Sequence, residues 1–326
     1  MKFLSIIIPR YKETERDLFP LLSSINNQLG VDFSSIEVII CTDGGGGKEL
    51  DSDYLNLFEN LEFRQVRLSE NGGPGIARQA GIDNAKGQYL MFCDADDILH
   101  SVGVLGALMQ KAEQDAPDII RTNWLEEIRN PDGSCVYLTH SGENTWMFGK
   151  VIRKQYLIRN GVRHHPKLRV HEDSYFLALA AAFTSRDVTL DITSYVWKFK
   201  SDSITRVNNG IYTYDSFPTF IYSCTEADNV IDMKSPAIMM QRIVQFTLYI
   251  YFTLHSRNWM EHQDYIRKSE DEFVSRIKPF WHYWLEASPE MITQAYAQER
   301  QKNFQGIETE TLDMWLNRIG MEGKHD

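Results

Sequence analysis

Through the first hundred residues, short apolar runs alternate with stretches of helical periodicity, an order that points to a parallel sheet flanked by helices. Strands are predicted over 3–9, 37–43 and 63–68, and helices over 14–28 and 75–85. The next apolar run, Tyr89-Leu90-Met91-Phe92-Cys93, stops at Asp94-Ala95-Asp96-Asp97. It reads as a buried strand, so Asp94 and Asp96 emerge at a carboxyl end, where open α/β sheets bind their ligands. Side chains two apart on an extended segment point the same way. Two carboxylates in one small volume repel each other unless a cation lies between them. A hard divalent ion, held by one or two carboxylates plus substrate phosphates, fits that arrangement. The alternative is a solvated acidic turn in which Asp97 caps the following helix.

The rest of the chain sets broader limits. A composition of 43% hydrophobic and 24% charged residues excludes wholesale disorder. A net charge of -11 argues against a protein that coats nucleic acid, although a local basic surface is compatible with that total. Cys41, Cys93, Cys135 and Cys224 lie far apart with no metal spacing, so a reduced, cytoplasmic protein is expected. The opening run meets Pro9 and Arg10 too soon for a signal sequence, and the apolar stretch over 243–254 is too short to span a bilayer. A soluble chain, at most peripheral to a membrane, is the expectation. A helix is predicted over 101–115 and short strands over 118–148, around the turn Asn130-Pro131-Asp132-Gly133. Beyond Tyr212 the pattern turns helical over 237–256, 262–278 and 290–303. Two domains are therefore expected, 1–215 and a helical 216–326 that serves acceptor binding or oligomerisation. Trp281 and Trp284 read as packing residues.

Four motifs follow one another at strand ends: Pro9-Arg10-Tyr11-Lys12-Glu13, Thr42-Asp43-Gly44, Asn71-Gly72-Gly73-Pro74-Gly75-Ile76-Ala77-Arg78-Gln79-Ala80-Gly81, and Asp94-Ala95-Asp96-Asp97. In this order and spacing the chain resembles the family 2 glycosyltransferases, with their PxYNxE, DDGS-like, NxGxxxARNxG and DxDD blocks. Lys12, Thr42 and Gln79 depart from that pattern. The resemblance implies an α/β GT-A fold, a Rossmann-like and mostly parallel sheet flanked by helices. It also implies an inverting transferase that uses a nucleotide-sugar donor, most simply a UDP-sugar. Pro9, Tyr11, Glu13, Asp43, Arg78 and Asp94 would bind the donor, and Asp96 would hold a divalent metal, Mn2+ or Mg2+. On chemical grounds Tyr11 offers a flat ring, and Asp43 an acceptor for a nucleobase N–H. Simple turn packing would also account for Pro9 and Tyr11, and a surface helix charge for Arg78. Gly44 to Gly47 is not a P-loop, because Lys48 is followed by Glu49.

Further along stand Trp146-Met147-Phe148-Gly149-Lys150 and His171-Glu172-Asp173. The resemblance makes Asp173 the catalytic base, with Glu172 in support, and Arg206 a phosphate contact. Trp146, Lys150 and His171 are candidates for the acceptor or the phosphates. Read as residues alone, Glu172 and Asp173 are equally a helix-start pair favoured by the dipole. From Lys150 to His171 runs a basic stretch, with Arg153, Lys154, Arg159, Arg163, Lys167 and Arg169 and no acid. It fits a donor diphosphate, an anionic acceptor, a membrane surface or a solvated helix face. The acceptor expected is a glycan, a polyol-phosphate or a lipid-linked saccharide; a peripheral membrane contact and a homo-oligomer stay open. Two rival readings remain: a haloacid-dehalogenase-type phosphotransferase and a non-catalytic nucleotide-sugar binding module.

Overall fold

The computed structural model describes residues 2–45, 47–130, 132–141, 145–201, 203, 211–303 and 310–321, which divide into two compact units, 1–200 and 201–326. In chain order the first unit contains β1 (Leu4–Arg10), α1 (Glu15–Asn26), β2 (Ile36–Thr42), α2 (Ser52–Leu55), β3 (Phe63–Arg67), α3 (Pro74–Asn84), β4 (Tyr89–Phe92), β5 (Ile98–Leu99) and α4 (Val104–Asp115). It continues with β6 (Ile119–Arg129), β7 (Cys135–His140), β8 (Lys150–Arg153), α5 (Lys154–Asn160), α6 (Glu172–Ala182) and β9 (Asp187–Trp197). The central strands β1, β2 and β4 are buried almost throughout, as their unbroken apolar sequences require of strands covered on both faces. Thr14 starts α1 through a reciprocal capping box with Asp17.

The strands run β3-β2-β1-β4-β8-β6-β9-β5 across one sheet, with β7 added to β6. The first four are parallel. Beyond β4 the sheet is mixed: β8 is antiparallel to both β4 and β6, and β7 returns antiparallel to β6 through a turn in which Gly133 has φ +83. The expected parallel order thus holds for β1 to β4, and β6 and β9 also pair in parallel; β7 is antiparallel because the short hairpin that joins it to β6 permits nothing else. Strand order reverses between β1 and β4: β2 and β3 lie on one side of β1, and β4 on the other. The carboxyl ends of β1 and β4 therefore flank a topological switch point, the crevice where such sheets bind ligands.

Helix α3 seats against this part of the sheet through Gly81, where any β-carbon would collide with the Ile7 side chain. The second unit is helical, with α7 (Ile211–Asp215), α8 (Phe217–Lys234), α9 (Met239–Leu254), α10 (Gln263–Ile277), α11 (Trp281–Glu286), α12 (Pro289–Asn303) and α13 (Leu312–Arg318). Its core gathers Ile243, Leu248, Tyr251, Phe273 and Trp315, and the buried Trp281 and Trp284 stack 5.2 Å apart. No described helix is long and apolar enough to cross a membrane.

Candidate active site

Asp94 and Asp96 leave the end of β4 at the switch point. Behind them stands Arg78, on α3 and buried. Its Nη2 donates to Asp94 Oδ1 at 2.8 Å, and its Nη1 donates to Glu172 Oε1 at 2.7 Å. One guanidinium thereby joins the turn after β4 to the first turn of α6. Burial alone would discourage the charge on Arg78, but the two carboxylates hold it firmly protonated. The close approach depends on Gly75: a β-carbon there would lie 2.8 Å from Glu172 Cγ.

Next to Glu172, Asp173 accepts from the Ser174 N–H at 2.8 Å. Burial, reinforced by the neighbouring charge of Glu172, raises its carboxyl from 3.8 to about 7. Glu172 is also raised, by burial, against the opposing pull of Arg78. His171, which precedes both, has φ 55, a left-handed backbone that a non-glycine residue adopts at a cost. It fixes the angle at which α6 begins.

On the metal side, Asp96 is about a third exposed, and its Oδ2 lies 3.0 Å from Lys200 Nζ. Burial and then the charge of Asp94 raise its pKa. Asp97 is fully buried; its Oδ2 accepts from the Tyr195 hydroxyl at 2.7 Å and its Oδ1 from the Lys198 N–H at 2.8 Å. It is an interior anchor of the turn, not a solvated cap. Among the described residues no three His, Cys, Asp or Glu side chains form a cage that would hold an ion alone. The donor set is nonetheless hard oxygen, one or two carboxylates at a crevice mouth, which fits an ion that takes its remaining ligands from phosphates and water.

The other candidates fall in distinct places. Pro9 pairs with Cys41 at the end of β1, and Tyr11 is exposed with the Lys12 ammonium 5.1 Å from its ring centroid. Glu13 Oε2 accepts from the N–H groups of Tyr11 and Lys12, so it shapes the turn that presents Tyr11. Asp43 is buried and accepts from the Gly72 and Gly73 N–H groups, both at 2.8 Å. Its carboxylate thus ties β2 to the loop before α3. Gly73, at φ +89, lies under Arg169, whose guanidinium donates to the Asn71 side chain and carbonyl.

Lys150 is buried and donates to the Trp146 and Phe148 carbonyls at 2.5 and 3.2 Å, holding that turn closed. The turn carries an aromatic ladder: Trp146 stacks on Phe148 and Phe148 on Tyr195, with Trp197 5.3 Å from Trp146. Much of the basic stretch is engaged locally, with Arg163 on Asp83, Lys154 on the Ala85 carbonyl and Arg153 on Tyr89. Arg206 lies outside the described residues.

Sequence reasoning did not single out Tyr195, Lys198 or Lys200. The alternation Val188, Leu190, Ile192 along β9 was the available signal for that strand.

The comparisons bear on this geometry. The model of the family described as "Glycosyl transferase family 2" matches residues 5–162. The uncharacterized glycosyltransferase EpsJ of Bacillus subtilis is 25% identical over 227 residues, 63% of each protein. A GalNAc(5)-diNAcBac-PP-undecaprenol beta-1,3-glucosyltransferase of Campylobacter jejuni is 32% identical over 122 residues, 35% of this chain and 36% of that one. The chain therefore spans less than two thirds of the length of these relatives. Among solved structures, residues 1–349 of S. aureus TarS superpose with a TM-score of 0.55 at 16% identity, covering 92% of both chains. The complex of the same protein with UDP-GlcNAc gives 0.52, over 100% of this chain and 94% of that one. At that identity the likeness is one of fold.

Proposed function

We propose, from the premise that the chain belongs to glycosyl transferase family 2 through residues 5–162, that it transfers a sugar from a UDP-sugar to a saccharide hydroxyl with inversion. The observation that carries this reading is the Arg78 bridge, which draws the carboxylates after β4 and the start of α6 into one site. Asp173 is the base: its carboxylate takes the proton from the acceptor hydroxyl as that oxygen attacks the anomeric carbon. The bond from that carbon to the diphosphate breaks as the new one forms, and UDP leaves with the electron pair. A raised pKa suits this role, since a base near neutrality is both available and strong enough.

Asp96, with help from Asp94, would hold a Mn2+ or Mg2+ ion. Such an ion offsets charge on the departing diphosphate. Tyr11, beside Pro9 and the Glu13-shaped turn, would stack on the base, while Asp43 positions the loop around the nucleoside. The UDP-GlcNAc complex of TarS and the strand-end position of these residues support this donor. For the acceptor, the half-buried Trp146 and Trp197 rings suit a sugar ring, and the Campylobacter relative is named for a lipid-linked saccharide. Unit 1–200 would then carry the donor site, the chemistry and this aromatic acceptor contact, and unit 201–326 would serve further acceptor choice or assembly.

The phosphotransferase rival loses its footing, because the DxD follows the fourth strand in chain order and the family match is to glycosyltransferases. A binding module would have no use for a base at Asp173. The test is the anomeric configuration of product made from an α-linked UDP-sugar, followed by NMR with wild type and Asp173→Asn. A β-linked product, lost in the variant, is expected; an α-linked product would overturn inversion.

A further inference from the structure

The turn Asp94 to Asp97 is braced from a part of the chain a hundred residues away. Tyr195, on β9, is fully buried, and its ring stacks on Phe148 at 5.0 Å and 12°. Its hydroxyl accepts from the Asp94 N–H at 2.8 Å and donates to Asp97 Oδ2 at 2.7 Å. The Lys198 N–H donates to the other oxygen of Asp97 at 2.8 Å. One phenol therefore links the backbone of one end of the turn to the side chain of the other, and the end of β9 closes the clasp. The Asp96 carboxylate projects from between these fixed points.

We propose that Tyr195 is a positioning residue of the metal-binding turn: its hydroxyl, held between the Asp94 amide and the Asp97 carboxylate, fixes the direction in which Asp94 and Asp96 leave β4. The proposal rests on the reading of Asp96 as the metal carboxylate. Its physical basis is that ligands bind well only when held in place by a hydrogen-bonded outer layer, whose loss typically costs about 10–100-fold in metal affinity. A phenol is suited to this place because it both accepts and donates, and ring stacking limits its own motion. Phenylalanine would keep the packing and leave the Asp94 N–H and one Asp97 oxygen without their partner.

The test uses the full chain with Mn2+ and UDP as probes, comparing wild type with Tyr195→Phe by calorimetric titration. A fivefold or greater loss of Mn2+ affinity in the presence of UDP, at a temperature where the variant is folded, is expected. A smaller loss would overturn the proposal, whatever the change in melting temperature, since a tyrosine that only fills space would shift melting alone. Amide hydrogen exchange of a peptide over 93–98 supplies a readout that needs no ligand. Tenfold faster exchange there is expected in Tyr195→Phe, and unchanged exchange would overturn the proposal. Should Tyr195→Phe fail to fold, Asp97→Asn is judged by the same two thresholds. Absence of Mn2+ binding by the wild type would instead defeat the metal reading of Asp96, and the exchange measurement would still decide the role of Tyr195.

Discussion

The pH dependence of Asp173 makes the account quantitative. Its carboxyl rises from 3.8 to about 7, chiefly by burial. At pH 6 only about one molecule in ten carries the deprotonated base, and at pH 5 about one in a hundred, so kcat/KM should fall about tenfold per unit below 7 and level off above it. Stability follows with the opposite sense. Between the two values the native state holds a proton that the unfolded chain has already released, so wild-type stability declines as pH rises from 4 to 7. It stays at the lower level above 7. A shift of about 3 units corresponds to about 4 kcal/mol as an upper limit. Solvent reaches this half-buried carboxyl, which reduces the figure to about 1–2 kcal/mol. Asp173→Asn removes the titration: it should cost about 10²–10⁴ in rate and gain about 1–2 kcal/mol relative to wild type at pH 8, with little gain at pH 4. Urea unfolding at the two pH values, beside a pH–rate profile of the wild type, reads both effects. A flat rate between pH 5 and 8, with an equal stability difference at pH 4 and 8, would refute the argument.

Other perturbations address neighbouring parts of the site. Arg78→Met strands Asp94 and Glu172 without their shared cation and should lower stability by about 3–5 kcal/mol at pH 7, and by less in acid, where Glu172, raised by burial, takes up its proton, as denaturant titration would show. Lys200→Met frees Asp96 from a partly exposed pair worth about 0–1 kcal/mol, so Mn2+ affinity measured by titration should rise by about fivefold at most. Gly75→Ala places a methyl 2.8 Å from Glu172 Cγ and should displace α6 from Arg78, costing about 1–3 kcal/mol in thermal unfolding and lowering kcat with it.

The parts of this molecule legible in its sequence are those set by local rules. The run Tyr89 to Cys93 and its acidic stop announced β4, and the helix expected from Thr14 is α1, which begins at Glu15. The glycines of the block from Asn71 to Gly81 were visible as a motif, but their reason was not. Gly75 faces Glu172 and Gly81 faces Ile7, contacts that only the folded chain defines. The Arg78 bridge was hidden for the same cause, since Glu172 lies 94 residues away. Asp43 reads in the sequence as an acceptor for a nucleobase, and its ties to the Gly72 and Gly73 amides, 29 and 30 residues away, are contacts that only folding brings to it. The basic stretch looked like one surface, yet several of its side chains find partners close at hand. Strand β9 alternates clearly, but its polar positions Asp191 and Thr193 resemble a loop until β6 lies beside them.

One measurement bears most directly on the central reading: release of nucleoside diphosphate from a panel of UDP- and GDP-sugars, with Mn2+ or Mg2+, with chelator, and with Asp96→Asn. The expected result is slow hydrolysis of one UDP-sugar that stops with chelator and falls at least about a hundredfold in the variant. Turnover that persists in chelator and in Asp96→Asn would contradict the metal-assisted site, and turnover of no donor at all would contradict the transferase.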